Sequence, residues 1–346
     1  MRKNSGIARL VCVFAICIAL IGYNAYSFCF KGRTAKNVIT QNPVQEETSS
    51  EEENEKEKEK VQREDTLSSQ EETESAPAST DGSVKGKVIS RYISPYSAGL
   101  SYNGVYMKNS TDLEINIKEL LSAPLGFKIA KNDSPQVLIV HTHTTETYMT
   151  EDADYYTSAF SSRTRDAQKN MVSVGNIVAE KLNQAGIKTL HDATEHDYPN
   201  YTGSYSRAAK TINSYLKKYP TIKVVLDLHR DAVSSGDSDK VKLVTEINGK
   251  KAAQVMLVMG SQSGSVTNFP KWKENLKLAV RLQQKIEEKY PTLARPLSLM
   301  PKNYNESLTT GSLLIEFGTD VNTLSEAHYS AELVGNAIAE LLGGIT

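Results

Sequence analysis

The chain has 346 residues, with 40 Lys and Arg against 41 Asp and Glu and a formal net charge of −1. That balance gives no general electrostatic reason to expect nucleic acid, which asks for a basic face. The three cysteines, Cys12, Cys17 and Cys29, fall in or beside one apolar stretch, so the remainder holds no disulfide and no zinc–thiolate site, and a metal there has to sit on imidazole and carboxylate.

Residues 1–6 read as a short cytoplasmic tail and residues 7–30 as a transmembrane anchor. Ile7 to Phe30 is almost continuously apolar, with Arg9 near its start and no acidic residue. About twenty apolar residues suffice for a helix to cross a hydrocarbon core of roughly 30 Å. Arg2, Lys3 and Arg9 precede the apolar centre, which favours a cytoplasmic N-terminus with the rest of the chain outside. A cleaved signal peptide is the competing reading.

Residues 31–86 read as an acidic linker. From Glu46 to Ser75 there are thirteen acidic residues against four basic ones and almost no apolar side chain. Such a segment buries too little surface to offset the entropy of ordering it, so it is expected to stay unfolded. As a coil of about 55 residues it would span roughly 40 Å and act as a tether.

Residues 87–346 read as one extracytoplasmic domain, large enough for a sizeable core. Its first part, to residue 133, has little pattern beyond a short helix at Asn116 to Ser122. Val137 to Val140 is a short buried run, expected as a central strand. Met171, Val174, Ile177, Val178 and Leu182 recur at helical spacing, with Gly186 as a stop. A strand at Ile187 to Leu190 and a helix at Ala208 to Tyr219 follow. Val224 to Leu228 is a second strong strand. Val241 to Ile247 and Ala252 to Met259 flank Asn248-Gly249, a hairpin signal. Trp272 to Tyr290 is a long amphipathic helix, and Leu313 to Phe317 a third apolar strand. Leu324 to Leu342 closes the chain as a helix, with Thr323 and Glu326 at capping-box spacing. Strands alternating with helices predict an α/β fold, a mostly parallel central sheet with helices on both faces.

Ligands of such sheets gather at the carboxyl ends of the strands. The first strand ends in His141-Thr-His143-Thr-Thr-Glu146, the second in His229-Arg230-Asp231, and the third holds Glu316 ahead of Gly318. Two His and one Glu are a common catalytic zinc set that leaves a position for water. His143, Glu146 and His229 are therefore the expected Zn2+ ligands. Glu316 lies inside Leu-Leu-Ile-Glu-Phe, where a carboxylate is costly unless paired or used. It is the expected catalytic residue, taking a proton from water and passing it to the leaving amine. His141 is a rival ligand, since alternate strand residues share a face. It would replace His143 or orient substrate. Arg230 is a candidate to bind a substrate carboxylate or to hold a ligand's tautomer. His191 and His196 lie in a loop expected to border the cleft, and His328 reads as a packing residue.

Three segments, Val137 to Tyr148, Val225 to Ala232 and Leu313 to Gly318, resemble the signatures of the stage II sporulation protein P family, membrane-anchored cell-wall hydrolases of spore-forming bacteria. The resemblance covers about residues 130–346 and the order anchor, linker, catalytic domain. The same order of His-x-x-Glu, His and Glu is similar to zinc N-acetylmuramoyl-L-alanine amidases and, more distantly, zinc carboxypeptidases, although the short gap from His143 to Glu146 is closer to the latter. The resemblance implies a zinc amidase/carboxypeptidase-like α/β fold. It implies cleavage of the N-acetylmuramoyl-L-alanine amide of peptidoglycan, endopeptidase action on peptide cross-links, and a place in forespore engulfment at the engulfing membrane. It further implies a complex with sporulation proteins D and M. The alternatives are a zinc carboxypeptidase-type exopeptidase and a non-catalytic wall-binding scaffold.

Overall fold

The computed structural model describes residues 82–345. The expected anchor and almost all of the expected linker lie outside them. Among the described residues, no helix is long and apolar enough to cross a membrane. The folded part opens with a strand at Val84, inside the stretch assigned to the linker.

In chain order the strands are β1 (Val84–Arg91), β2 (Leu100–Tyr102), β3 (Val105–Asn109), β4 (Val137–Val140), β5 (Tyr155–Thr157), β6 (Thr189–His191) and β7 (Val224–Asp231). They continue as β8 (Ser234–Ser235), β9 (Asp239–Ile247), β10 (Lys250–Ala253), β11 (Val255–Gly260), β12 (Leu297–Met300) and β13 (Ser312–Thr319). The helices are α1 (Ile117–Ser122), α2 (Met171–Gln184), α3 (Ser204–Lys218), α4 (Trp272–Lys289) and α5 (Leu324–Gly343). Thr323 and Glu326 form the expected capping box on α5.

Eight strands form the main sheet in the order β2-β3-β12-β11-β13-β7-β4-β6. The expected α/β sheet is there, but it is mixed: β2/β3 and β11/β13 run antiparallel, and the other five neighbouring pairs parallel. The reversal has a local cause. The segment expected as one strand, Ala252 to Met259, breaks at Gln254, whose side chain bonds the backbone N–H and C=O of Ile93 and the C=O of Thr292. Its first half, β10, makes the expected hairpin with β9 through Asn248 and Gly249, both at positive φ as a tight hairpin turn requires. Its second half, β11, enters the main sheet directly from that hairpin, with no helical crossover to align it. The smaller sheet, β10-β9-β1-β5 with β8 on β9, was not expected. The segment read as a pattern-poor extension supplies β1 to this sheet and β2 and β3 to the edge of the main one.

Strand alternation sorts the main sheet into two faces. Val137, Ile139, Leu226, Leu228, Leu313 and Ile315 join the large core with α2, α4 and α5. Leu138, Val140 and Val225 turn the other way, onto a smaller core with Ile212 of α3. Helices thus cover both faces, as expected. By the same alternation Asp227, His229 and Glu316 belong to the α3 side. Because β4, β7 and β13 are parallel neighbours, their carboxyl ends open together at the N-terminal end of α3.

Candidate metal centre

The turn after β4 is fixed by its threonines. Thr142 donates its N–H and hydroxyl to the two carboxylate oxygens of Asp227, at 2.8 and 2.6 Å. Thr145 likewise engages Asp197 through its N–H and, at 2.7 Å, its hydroxyl. Thr144 and Thr147 donate to the carbonyls of Thr194 and Lys169, both at 2.6 Å. The N–H of Glu146 bonds the C=O of His143 at 3.2 Å. Between these pins, Glu146 is turned toward His229, and the His143 ring lies beside that of His229.

The rings of His143 and His229 lie 5.1 Å apart, centre to centre. Glu146 Oε2 is 3.6 Å from His229 Nδ1 and accepts the Arg230 N–H at 3.2 Å. Two donor atoms on one tetrahedral zinc stand roughly 3.3 Å apart, from bonds of about 2.0–2.1 Å. On the far side of the ring, His229 Nε2 is 2.9 Å from Asp227 Oδ1, but off the line of a hydrogen bond, which leaves this buried nitrogen without a well-formed partner. Glu316 is the cross-strand partner of His229. Its residue is partly exposed, yet its Oε2 is enclosed and bonds nothing.

The electrostatics follow from that packing. Burial pushes the His143 imidazole down to about 3, so it carries a free lone pair at neutral pH. Burial opposes charge on His229 too, but Asp227 and then Glu146 hold its proton well above the usual range. Burial likewise works against the Glu146 carboxylate, and Arg230 beside it overrides that and keeps its pKa well below normal. Glu316 is pushed up to about 8, by burial first and Asp231 second. The pocket between Glu146 and Asp227 thus favours positive charge, which in this form a proton on His229 supplies.

Among the described residues, no three His, Cys, Asp or Glu side chains already surround one point as an ion requires. The side chain out of place is His143. Its ring is stacked on Tyr201 at 4.5 Å, with Nε2 3.1 Å from the Tyr201 hydroxyl and Nδ1 3.4 Å from Ser204 Oγ. The donor types fit zinc, and so does the Glu146–His229 spacing. A rotation of His143 away from the two hydroxyls is needed to complete the set.

Two sequence expectations are corrected here. His141 does not share a face with His143, because the strand ends at Val140 and its two-residue period ends with it. His141 Nδ1 lies 2.9 Å from the Leu228 carbonyl and its Nε2 2.8 Å from His191 Nε2, under Gly175, where a Cβ would come within 2.7 Å of the His141 Nε2. Both of its nitrogens are thereby engaged away from His229. Arg230 is buried and committed: it donates to the carbonyls of Thr147 and Ser162, and its Nη1 is 3.8 Å from Glu146 Oε1. It braces Glu146 from a side chain only 5% exposed. His196 braces the same turn, bridging the His141 carbonyl and Thr211 Oγ1. His328 packs against Ser173.

The family model for stage II sporulation protein P matches residues 17–339. The chain belongs to the stage II sporulation protein P family. Stage II sporulation protein P of Bacillus subtilis (strain 168) is 28% identical over 252 residues, a match that covers 66% of this chain and 58% of that protein. Among solved structures, the apo form of the N-acetylmuramyl-L-alanine amidase Ami1 from Mycobacterium abscessus aligns with 60% of this chain and 99% of its own, at 12% identity and a TM-score of 0.36. The N-acetylmuramoyl-L-alanine amidase AmiC2 of Nostoc punctiforme aligns with 62% of this chain and 98% of its own, also at 12% identity and a TM-score of 0.36.

In this member of the family, four residues around the centre escaped the sequence expectations: Asp227, Asp197, Arg163 and Tyr201. For Asp227 the signal was present. It sits in Val-Val-Leu-Asp-Leu, a carboxylate inside an apolar strand, which is the argument that singled out Glu316. The other three reach the site from loops after β5 and β6. Asp197 and Tyr201 belong to the loop expected to border the cleft, though neither was singled out in it, and no local pattern points to Arg163.

Proposed function

We propose that this chain is a zinc-dependent peptidoglycan hydrolase of sporulation that cleaves the N-acetylmuramoyl-L-alanine amide and peptide cross-links. It is held by residues 7–30 at the outer face of the engulfing membrane, N-terminus in the cytoplasm, and works with sporulation proteins D and M. The observation that carries the chemistry is the approach of Glu146 Oε2 to His229 Nδ1, with His143 alongside and the unpartnered Glu316 carboxyl one strand away. Family membership carries the setting.

His143, Glu146 and His229 would hold the zinc. Bound there, it would supply Lewis acidity, which makes a water deprotonable near neutral pH and polarises the scissile carbonyl. The charge of Asp227, 2.9 Å from His229 Nε2, favours a proton on that nitrogen, so that Nδ1 is the nitrogen offered for coordination. Arg230 holds the Glu146 carboxylate ionised and aimed. Glu316 acts in its carboxylate form, which the positive charge of a bound zinc would favour by drawing its pKa down from about 8; it takes the proton from the attacking water and returns it to the leaving amine.

The test is digestion of purified cell walls by the full-length chain. Muramic acid freed of peptide and new L-alanine amino termini are expected, with new termini at cross-links. A chelator should abolish both products and zinc restore them. Walls that yield no peptide-free muramic acid would refute the amidase assignment. Activity indifferent to the chelator would refute the zinc.

A further inference from the structure

With Arg230 committed to Glu146 and the backbone, the cation that borders the site and still reaches solvent is Arg163. Its position is fixed. The backbone pairs with Glu146 in an isolated antiparallel bridge, and the flanking Thr164 N–H bonds the Thr145 carbonyl at 2.7 Å. The side chain is 28% exposed. Nη1 is used: it donates to Asp197 at 2.6 Å and to Thr145 Oγ1 at 3.3 Å. The guanidinium lies over the Tyr201 ring, 4.7 Å from its centre.

The remaining edge is different. Nη2 is 3.9 Å from Glu146 Oε1, beyond hydrogen-bond range. Neither Nε nor Nη2 donates a hydrogen bond among the described residues, and neither is sealed from solvent. Nε–H and Nη2–H form the parallel pair that grips a carboxylate with two bonds. The two carboxylates nearby do not saturate it, since Glu146 also has Arg230 and Asp197 also has Thr145.

We infer that Arg163 is the anion anchor of the cleft: its Nε–Nη2 edge binds a carboxylate of the substrate peptide close to the bond being cut. This rests on the proposed hydrolase reading. A substrate that is a peptide on a sugar carries carboxylates. Arg295, paired with Asp231 near Glu316, also leaves Nε and Nη2 without partners, but both are sealed from solvent, whereas the Arg163 edge is not. Tyr201, under the guanidinium and against His143, links that anchor to the centre.

The experiment uses the full-length chain and a synthetic muramoyl peptide with its carboxylates either free or converted to primary amides. Wild type should prefer the free acid by about tenfold or more in kcat/KM, mostly through KM, the scale of losing one charge-assisted hydrogen bond at a partly exposed edge. Arg163→Ala should erase the preference, so that acid and amide are turned over at the same rate. Arg163→Lys keeps a charge for Asp197 but lacks the two-bond edge, so it should melt like wild type and still lose most of the preference. Equal rates on acid and amide in wild type, or an acid preference that survives Arg163→Ala, would overturn the anchor. Calorimetric binding to Glu316→Gln separates the two claims. If nothing is cleaved but the acid binds that variant more tightly than the amide, the hydrolase reading fails and the anchor stands; if cleavage occurs with no such difference, the anchor fails alone.

Discussion

Glu316→Gln is expected to lower kcat/KM on cell-wall substrate by about 10³-fold, roughly 4 kcal/mol, while the protein keeps its zinc. The carboxyl is the cross-strand partner of His229, yet no hydrogen bond reaches its buried Oε2. An enclosed oxygen of this kind is costly to keep, and here it stands on the same sheet face as the expected ligands. The amide is nearly isosteric, so the fold should not suffer; what is lost is a group able to take and return a proton. His229→Ala provides the contrast, because it removes a donor as well as a partner of Glu146 and Asp227. It should lose activity and metal together. Elemental analysis beside wall digestion distinguishes the two variants. Glu316→Gln with near-wild activity would remove Glu316 from the chemistry, and Glu316→Gln without zinc would make it a ligand.

The main strands and their chemistry were legible because β4, β7 and β13 carry almost continuous buried apolar runs that hold or lead into a few polar residues. Continuous burial gives them their signature, and parallel neighbours put their ends side by side. The smaller sheet was not legible. Its strands come from distant parts of the chain, and β1, Val-Lys-Gly-Lys-Val-Ile-Ser-Arg, carries too few apolar residues to announce itself. Nor could composition reveal that one Gln, at 254, would divide a predicted strand between two sheets. At the site, period-two reasoning failed for His141 because it was carried one residue past the strand. Applied to β7 it gives the right answer: Arg230 falls with Leu226 and Leu228 on the face away from Asp227 and His229. The roles of Thr142, Thr144, Thr145 and Thr147 depend on acceptors 20 or more residues away, so their repeated hydroxyls look like ordinary turn composition until the fold supplies the partners.

Arg230→Met is expected to cost about 3–5 kcal/mol of stability, the scale for removing one partner of a buried ion pair. The guanidinium is buried, faces the Glu146 carboxylate, and satisfies the carbonyls of Thr147 and Ser162. Methionine fills a similar volume but leaves two acceptors and one carboxylate with fewer donors, and each buried group left unmet adds about 1–3 kcal/mol. Urea unfolding of the full-length chain gives the number. A double-mutant cycle tells what it means. If Arg230 acts by compensating the charge of Glu146, adding Glu146→Gln to Arg230→Met should recover part of the loss, so that the two effects fall short of their sum by about 1 kcal/mol or more. Strictly additive losses would show that Arg230 merely ties the loops together, and a cost below about 1 kcal/mol for Arg230→Met alone would mean that Glu146 is held ionised by something other than this guanidinium.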